Sequence, residues 1–368
     1  MSAEPLIQVI SGMPRRQGSR LPADFAPVLL KLTNESSSHF GCADARLEPV
    51  EYRERPFSHV LRVAVFAAGR SIPLTHVFVK IFKVPEQSDH ERMRRRVKKD
   101  FESTRKIHQA MAQQADSGAV RPIVCYPEHL ATVTEQVPGH TLLEYLHSNV
   151  AWVPWRSTLT RLSPTMEKVG QWVRAFQSID RQPGRVSVEA LQSYVDLRLE
   201  RLVAASAAAF GETDRARVLE YIGRLYAAAP PDDLLETSIH GDLAPANMLI
   251  SGERVIVLDF AMCGRGSVFH DLSRLFLQLD LLRLKPHFNG GVIDRLGRSL
   301  LRGFDPQLTL DRPMFRVLLM QHRINHLATL FLSHEPFPAN LYNMRVRRYH
   351  RACLERELWR RPEDGAQV

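Results

Sequence analysis

Four polar residues, His240, Asp242, Asn247 and Asp259, interrupt otherwise apolar runs in the second half of the chain. Asp242 and Asn247 have the D-x-x-x-x-N spacing of catalytic loops that support phosphoryl transfer. In such a loop the aspartate can accept a proton from an attacking hydroxyl, and the asparagine can offer its amide oxygen to a metal ion. Each residue alone could have an ordinary structural role, but their combined spacing favours the catalytic interpretation.

The segments around Asn247 and Asp259 predict how these two residues meet. "NMLI" and "VIVLDF" are typical of apolar strands, and Ser251-Gly252 is typical of the turn between them. A hairpin of this kind would place Asn247 and Asp259 side by side, so that their oxygens could share Mg²⁺, which prefers hard oxygen ligands. Phe260 would then pack inward and fix the direction of Asp259.

Upstream of this segment, residues 45 to about 137 have the pattern of a small β-rich lobe. Five strands are predicted within four runs: "ARLEPVEY", "HVLRVAVFA", "LTHVFVKIF" and, with two strands, "RPIVCYPEHLATVTEQV". The charged run between the third and the fourth has apolar residues at roughly helical spacing, and Ser88 or Asp89 can cap its start. We therefore expect five antiparallel strands and one main helix here.

Three regions are predicted along the chain. Residues 1–40 are expected to form a poorly packed N-terminal arm with one short helix at 24–33. Residues 41–137 are expected to form the small lobe that would bind a nucleotide. A break at Pro138-Gly139 begins a region, 138–368, in which apolar residues recur at helical spacing. The predicted fold class is α+β, with a small antiparallel-sheet lobe and a larger, mostly helical lobe that carries the catalytic loop and the acceptor site.

Composition narrows the class of protein. The chain has 368 residues, of which 44% are hydrophobic and 24% charged, as expected for a globular protein large enough for two lobes. Its four cysteines lie far apart without a C-x-x-C pair, which argues against a disulfide framework and a zinc site. No apolar run approaches the roughly 18 residues of a membrane span, and the first residues lack a signal-peptide pattern, so we expect a cytoplasmic protein.

Lys80 is the candidate basic residue of the small lobe. It lies inside the apolar strand "HVFVKIF", where a buried lysine is costly unless it is paired. An exposed edge position is one explanation, and a lysine that holds nucleotide phosphates and is steadied by a helix glutamate is the other. Glu102 is the preferred partner because it lies mid-helix beside Phe101, whereas Glu91 near the helix start could simply favour the helix dipole.

Together these segments resemble the aminoglycoside phosphotransferase and choline kinase-like family, which has a protein-kinase-like fold. The resemblance rests on "VFVKIF", "EQVPGHTLLEYL", "HGDLAPANMLI" and "VIVLDFAMCGRGSVFHDL", in that order, over about residues 45–285. It implies a small-molecule kinase that uses ATP and Mg²⁺. The roles it implies are a catalytic base at Asp242, Mg²⁺ ligands at Asn247 and Asp259, a phosphate contact at Lys80, an adenine-binding hinge from Glu135 to Val137, and braces of the catalytic loop at His240 and Asp271.

Two features depart from the family pattern. The loop expected to cover the phosphates, "YRERPFS", contains no glycine, although glycine lets backbone N–H groups approach phosphates closely. Arg53 or Arg55 could replace those contacts with side chains, or the loop could be an ordinary charged turn. In addition, Ala261 follows Phe260 where many kinases have glycine.

Charge near the C-terminus bears on the acceptor. The net charge is +9, and "MRVRRYHRACLERELWRR" is rich in arginine, which suits carboxylates and phosphates. We therefore expect a neutral or anionic sugar, polyol or saccharide-type metabolite, although most of these arginines could belong to a solvated helix face. An aminoglycoside kinase and a nucleotide-binding pseudokinase are the alternatives. The basic run "ERMRRRVKKDFESTRK" is expected to be an outer helix face, so neither nucleic acid nor peripheral membrane contact is expected.

Overall fold

The computed structural model describes residues 21–85, 89–152, 155–180, 184–205, 210–332 and 339–359. The strands are β1 (Arg46–Glu54), β2 (Ser58–Phe66), β3 (Thr75–Phe82), β4 (Ser117–Ala119), β5 (Pro122–Tyr126), β6 (Ala131–Glu135), β7 (His140–Thr141), β8 (Glu236–Ile239), β9 (Met248–Ser251), β10 (Arg254–Val257) and β11 (Gly264–Ser267). The helices are α1 (Phe25–Asn34), α2 (Ser36–Phe40), α3 (His90–Ala110), α4 (Leu142–Val150), α5 (Trp155–Gln177), α6 (Val188–Ala204), α7 (Glu212–Ala227), α8 (His270–Leu282), α9 (Gly290–Phe304), α10 (Pro313–Leu332) and α11 (Ala339–Trp359).

The chain divides into two compact units. The sheet unit contains the described residues up to Thr141 together with Asn247–Cys263. The helical unit contains the described residues of Leu142–Ala246 and those from Gly264 onwards. The proposed base Asp242 therefore belongs to the helical unit, whereas the proposed metal ligands belong to the sheet unit.

The main sheet of the sheet unit has five antiparallel strands in the order β1-β2-β3-β6-β5. Side chains alternate across β3, so that Val77, Val79 and Ile81 enter the hydrophobic core. Lys80 has the opposite parity, which it shares with Phe82, and Phe82 packs with the buried residues of α3. The strand pattern therefore directs the lysine to the face of the sheet that α3 covers.

Helix α1 packs against the face of this sheet that carries Val77, Val79 and Ile81. It occupies nearly the segment predicted as a short helix, and its Phe25, Val28 and Leu32 are fully buried among the sheet side chains. Because these residues recur at helical spacing, they form one apolar stripe that needs a partner surface. Residues 21–40 thus pack more closely than an arm would, while residues 1–20 lie outside the described residues.

A second, four-stranded sheet of the sheet unit contains the predicted hairpin. Its order is β4-β10-β9-β7, with β9 and β10 antiparallel and β4 parallel to β10. Gly139, directly before β7, has φ +134°, and a Cβ there would collide with the carbonyl oxygen of Ile250 on β9. Glycine is therefore required for this close approach.

The helical unit contains α4 to α11 and a two-stranded sheet of β8 and β11. Helices α5 and α9 pack backbone to backbone, because a Cβ at Gly170 would meet the carbonyl oxygen of Leu300 and one at Gly303 would meet that of Glu167. The predicted α+β class, with a small antiparallel sheet and a mostly helical part, is confirmed. None of the helices in the described residues is long and apolar enough to cross a bilayer.

Candidate active site

The loop after β8 is held by one buried carboxylate. Asp271, in the first turn of α8, accepts a hydrogen bond from the His240 N–H at 2.6 Å and another from the Gly241 N–H at 3.0 Å. Both His240 and Asp271 are fully buried, so each polar group needs a partner inside the protein. Gly241 adopts φ +78°, which glycine tolerates and which helps to turn both N–H groups toward the same side chain.

Side chains on one face of α8 contact successive residues of this loop. Three residues on, Arg274 forms an ion pair with the Asp242 carboxylate, and one turn further Gln278 donates to the Leu243 carbonyl at 3.5 Å. Asp271, Arg274 and Gln278 share a helix face because they are three and four residues apart. The loop thus receives contacts from α8 at each position from 240 to 243.

His240 makes a further contact inside the loop. Its Nδ1 accepts a hydrogen bond from the Asp242 N–H at 3.3 Å. Since Nδ1 is the acceptor, the imidazole fixes the backbone of Asp242 rather than reaching into solvent. This position fits the bracing role that the resemblance implies for His240.

In the sheet unit, Asn247 and Asp259 flank the open end of the β9–β10 hairpin. Met248 pairs with Val257, and the Leu258 N–H donates to the Asn247 carbonyl at 2.9 Å. Asp259 follows directly with φ +64°, a left-handed conformation that aspartate tolerates better than most residues. The hairpin therefore brings the two candidate metal ligands to neighbouring positions.

Lys80 lies beside one of these ligands. Its Nζ contacts the Asp259 Oδ2 at 3.0 Å, and the two side chains are 24% and 35% exposed. Phe260, the next residue, is fully buried, and the turn it begins packs against α3. The sheet unit thus brings the predicted phosphate-binding lysine to the predicted metal-binding carboxylate.

The acid that α3 directs toward Lys80 differs from the one predicted. Glu102 is exposed, and Glu91 is also exposed and pairs with Arg94 at 3.6 Å. Asp100 is instead buried, and its carboxyl interacts electrostatically with both Lys80 and Asp259. The correction has a simple cause: the buried face of α3 recurs every three to four residues, and Glu102 lies outside that register.

The buried face of α3 could have indicated Asp100 from the sequence. Its members are Met93, Val97, Asp100, Thr104 and Ile107. Burial raises the pKa of Asp100 to about 6, an effect that Lys80 opposes and Asp259 reinforces. One oxygen of this carboxyl is buried without a hydrogen bond in the described part of the chain. Such an acid on an apolar stripe is a candidate functional residue.

The predicted hinge, Glu135 to Val137, lies at the end of β6. The Glu135 N–H donates to Arg121 and the Gln136 N–H donates to His76, at 3.0 and 2.9 Å. Within the described part of the chain, the Val137 N–H forms no hydrogen bond. Of the three hinge N–H groups, this one could therefore donate to a bound base.

The predicted phosphate-covering loop is short. Strand β1 runs to Glu54 and β2 begins at Ser58, so only three residues connect them. Arg53 pairs with Glu51 of its own strand at 2.6 Å, and the Arg55 N–H closes the turn on the Ser58 carbonyl at 2.8 Å. In this geometry both arginines take part in local contacts of the turn.

The donor set at the hairpin fits a magnesium ion. Asn247 offers an amide oxygen and Asp259 a carboxylate, and Mg²⁺ takes one or two such groups together with phosphates and water. Among the described residues, no cluster of three or more His, Cys, Asp or Glu side chains could hold a metal. The remaining ligands would therefore come from a nucleotide and water.

A family of known proteins matches three of the four segments on which the resemblance rests, all except "VFVKIF". A family model described as "Phosphotransferase enzyme family" (APH) matches residues 82–306. The search of curated proteins found no match. Structural similarity is broad but distant, and identities of this size establish the fold alone.

Three solved structures illustrate this similarity. A putative aminoglycoside phosphotransferase from Ralstonia eutropha JMP134 is 14% identical, covers 89% of this chain and 98% of its own, and has a TM-score of 0.58. A glucosamine kinase in complex with glucosamine, ADP and inorganic phosphate is 16% identical, with coverages of 85% and 83% and a TM-score of 0.55. A thermostable mutant of aminoglycoside phosphotransferase APH(4)-Ia, with ADP and hygromycin B, is 11% identical, with coverages of 92% and 100% and a TM-score of 0.53.

Proposed function

Because this chain belongs to the phosphotransferase enzyme family, we propose that it moves the γ-phosphoryl group of ATP onto a hydroxyl of a neutral or anionic sugar, polyol or saccharide-type metabolite. Family membership makes it a small-molecule kinase, and the class of acceptor is what the proposal adds. The observation that carries the proposal is the contact of Lys80 with Asp259 at the hairpin end that also bears Asn247. A lysine, a carboxylate and an amide at one place are the groups that phosphate and its metal ion need.

Each unit contributes its own part of the reaction. In the helical unit, Asp242 accepts the proton of the acceptor hydroxyl, while Asp271 and His240 hold the loop in position. In the sheet unit, Lys80 binds the phosphates, and the backbone from Glu135 to Val137 binds the adenine. Asp100, rather than Glu102, is the helix acid that acts on Lys80.

A divalent ion would be held by the Asn247 amide oxygen and the Asp259 carboxylate. Bound there, Mg²⁺ neutralises charge on the phosphoryl oxygens during transfer. Lys80 already contacts one oxygen of Asp259, so the lysine and the ion would share this carboxylate. The chain's own residues then orient the phosphates and accept the proton.

Charge in the helical unit supports a neutral or anionic acceptor. Helix α11 carries arginines at 345, 347, 348, 351 and 356, and α8 places Arg274 against Asp242. Arg274 would repel a cationic group of an acceptor at Asp242, whereas carboxylates and phosphates match the fork-shaped donors of a guanidinium.

Two substitutions test the proposed function. Asp242→Ala removes the base and Asp259→Ala removes a metal ligand, so each should lower kcat by about 10²- to 10⁴-fold. The assay follows labelled phosphate from ATP onto a panel of sugars, polyols and their acid derivatives. Glu102→Ala, on the exposed face of α3, is the matched control and should keep full activity. Comparable turnover in the two site variants would refute the assignment.

An aminoglycoside kinase is a second candidate, because one structural relative is described in complex with hygromycin B. The same panel should therefore include hygromycin B and kanamycin. If these polycations are phosphorylated with a higher kcat/KM than every neutral and anionic acceptor, the acceptor class proposed above is wrong, while the kinase chemistry stands.

A nucleotide-binding pseudokinase is favoured by one feature, the glycine-free turn between β1 and β2. Titration with Mg-ATP while the melting temperature is followed separates binding from catalysis. A rise in melting temperature without phosphate transfer to any acceptor would favour this alternative.

A further inference from the structure

We propose that Arg274 is a specificity-determining residue that binds a carboxylate or phosphate group of the acceptor, next to the hydroxyl that is phosphorylated. The proposal rests on the proposed function, since it concerns the acceptor of the same transfer. Arg274 lies on the face of α8 that contacts the catalytic loop, between Asp271 and Gln278. Its position therefore places a guanidinium group at the base itself.

The contact between Arg274 and Asp242 carries the inference. A terminal guanidinium nitrogen of Arg274 donates to the Asp242 Oδ1, and this is the single ion pair of Arg274 in the described part of the chain. The two side chains are only 18% and 16% exposed. An acceptor hydroxyl that reaches Asp242 must therefore also come close to the guanidinium.

Arg274 has hydrogen-bonding capacity beyond this contact. A guanidinium carries five N–H donors in a fixed fork. The Nε of Arg274 is buried and has no hydrogen-bond partner in the described residues. An acceptor anion that accepted from the remaining terminal N–H groups would form charge-assisted hydrogen bonds with the guanidinium.

Apart from Asp242, the histidines of α10 and the acid nearest to them give Arg274 no second ionic partner. Burial, with the positive charges of Arg274 and Arg323, lowers the pKa of His326 to about 3, and burial chiefly holds the pKa of His322 far below its usual range. These histidines of α10 are therefore neutral. Arg323 is itself paired with Asp280 at 2.9 Å, so that acid already has a cationic partner.

This arrangement predicts what happens when the base works. Asp242 must turn at least one oxygen to the acceptor hydroxyl in order to take its proton. Arg274 would then lie in a poorly hydrated place with a weakened ion pair, which is unfavourable for a buried charge. An anionic group on the acceptor would restore the pairing, whereas a cationic group would add repulsion.

A simpler role for Arg274 would be to hold Asp242 in place. A brace of that kind would act equally on every acceptor, so its removal would lower kcat by the same factor for neutral and anionic compounds. A group that binds the acceptor would act mainly on KM, and only for anionic compounds. The two roles are therefore separable by kinetics.

The experiment uses matched pairs of acceptors with the full-length protein: glycerol with glycerate, and glucose with glucose 6-phosphate and gluconate. We expect the wild type to prefer the anionic member of at least one pair by about tenfold or more in kcat/KM. Arg274→Gln should raise KM for that member by about 10- to 100-fold and change KM for the neutral member little. Arg274→Lys should recover part of the loss, because lysine keeps the charge without the fork.

The control is Arg302→Gln, which removes an exposed arginine of α9 that pairs with Glu167 in the same unit. It should leave the preference unchanged. An equal loss for both members of every pair in Arg274→Gln would overturn the proposal in favour of a brace. A wild-type preference for neutral or polycationic acceptors would also overturn it while leaving the kinase assignment intact.

Direct binding decides the case in which no acceptor of the panel is phosphorylated. Calorimetric titration with glycerate and with inorganic phosphate, both in the presence of ADP, measures affinity without turnover. Saturable binding that Arg274→Gln weakens about tenfold, and that Lys80→Met does not, would support the proposal. If neither probe binds in an Arg274-dependent way, the proposal is wrong.

Discussion

In the sheet unit one lysine lies between two carboxylates, whereas in the helical unit the proposed base lies against an arginine. Lys80 contacts Asp259 and interacts with the buried Asp100, so negative charge is in excess there. Asp242 pairs with Arg274, while the neighbouring histidines are neutral and Asp271 is bound by backbone N–H groups. The lysine of the sheet unit is thus outnumbered by carboxylates, whereas the arginine of the helical unit carries hydrogen-bond donors beyond the one that Asp242 accepts.

This difference assigns a ligand type to each region. An excess of carboxylate favours a cation, as a magnesium ion bound with the nucleotide would provide. An excess of guanidinium donors favours an anion, as an acidic acceptor would provide. A kinase must bind both a metal–nucleotide complex and an acceptor. Substitutions that change the charge of one region should therefore leave the other region's ligand unaffected.

The largest effect on stability and activity is expected from Asp271 of the helical unit, whose carboxylate holds the catalytic loop through two backbone N–H groups. Asp271→Ala removes the partner of the buried His240 N–H and of the half-buried Gly241 N–H, which should cost about 2 to 4 kcal/mol of unfolding free energy and lower kcat by about 10²-fold or more. Urea unfolding and the phosphate-transfer assay measure the two quantities. Asp271→Asn keeps one acceptor and should lose less of both. An unchanged unfolding free energy in the alanine variant would contradict the bracing role.

A smaller effect is expected from the cation of the sheet unit. Lys80→Met keeps the length of the side chain and removes its charge, so kcat/KM for ATP should fall by about 10- to 100-fold. KM for the acceptor should stay within about twofold, because the acceptor depends on the other region. Lys83→Met is the control, since Lys83 pairs with the exposed Glu54 at the end of β1. Equal changes in KM for ATP and KM for the acceptor would show that the two regions do not bind their ligands independently.

The smallest effect is a pH dependence that Asp100 confers. Its carboxyl ionises near 4 in the unfolded chain and at about 6 in the folded one. Between these values the folded chain binds more protons, so stability falls as the pH rises from about 4 to about 6. Asparagine does not titrate, and Asp100→Asn should therefore gain roughly 1 to 3 kcal/mol relative to wild type between pH 4.5 and 7.5.

Urea unfolding at the two pH values, without nucleotide or magnesium, measures this gain. Glu102→Gln provides the matched control on the exposed face of the same helix and should show no such gain. A pH-independent difference between Asp100→Asn and wild type would show that the buried carboxyl is not the source.

Much of the fold was predictable because apolar residues recur along the chain with the spacing of strands and helices. The alternation in "HVFVKIF" predicted β3 and the position of Lys80, and the apolar runs around Ser251-Gly252 predicted the hairpin. The family, the fold class and the kinase class were also predicted correctly. Strands β4 and β7 were not predicted, since runs of three and two residues are too short to show a period.

The site was less predictable than the fold. The spacing of the buried residues of α3 could have predicted Asp100, because Asp100 lies on that helix face and Glu102 does not. Arg274 had no such signal, because only the folded loop brings it to Asp242 from 32 positions away. The roles of Asp242, Asn247, Lys80 and the hinge stay predictions until the variants are measured.

Gly139, directly before β7, connects the proposed hinge with the β9–β10 hairpin. Gly139 lets the strand that follows the hinge lie directly on β9, the strand that begins after Asn247. Backbone pairing within the sheet unit thereby links the proposed adenine-binding backbone to the proposed metal ligand Asn247. A nucleotide that reached both proposed sites would have to match their separation in length.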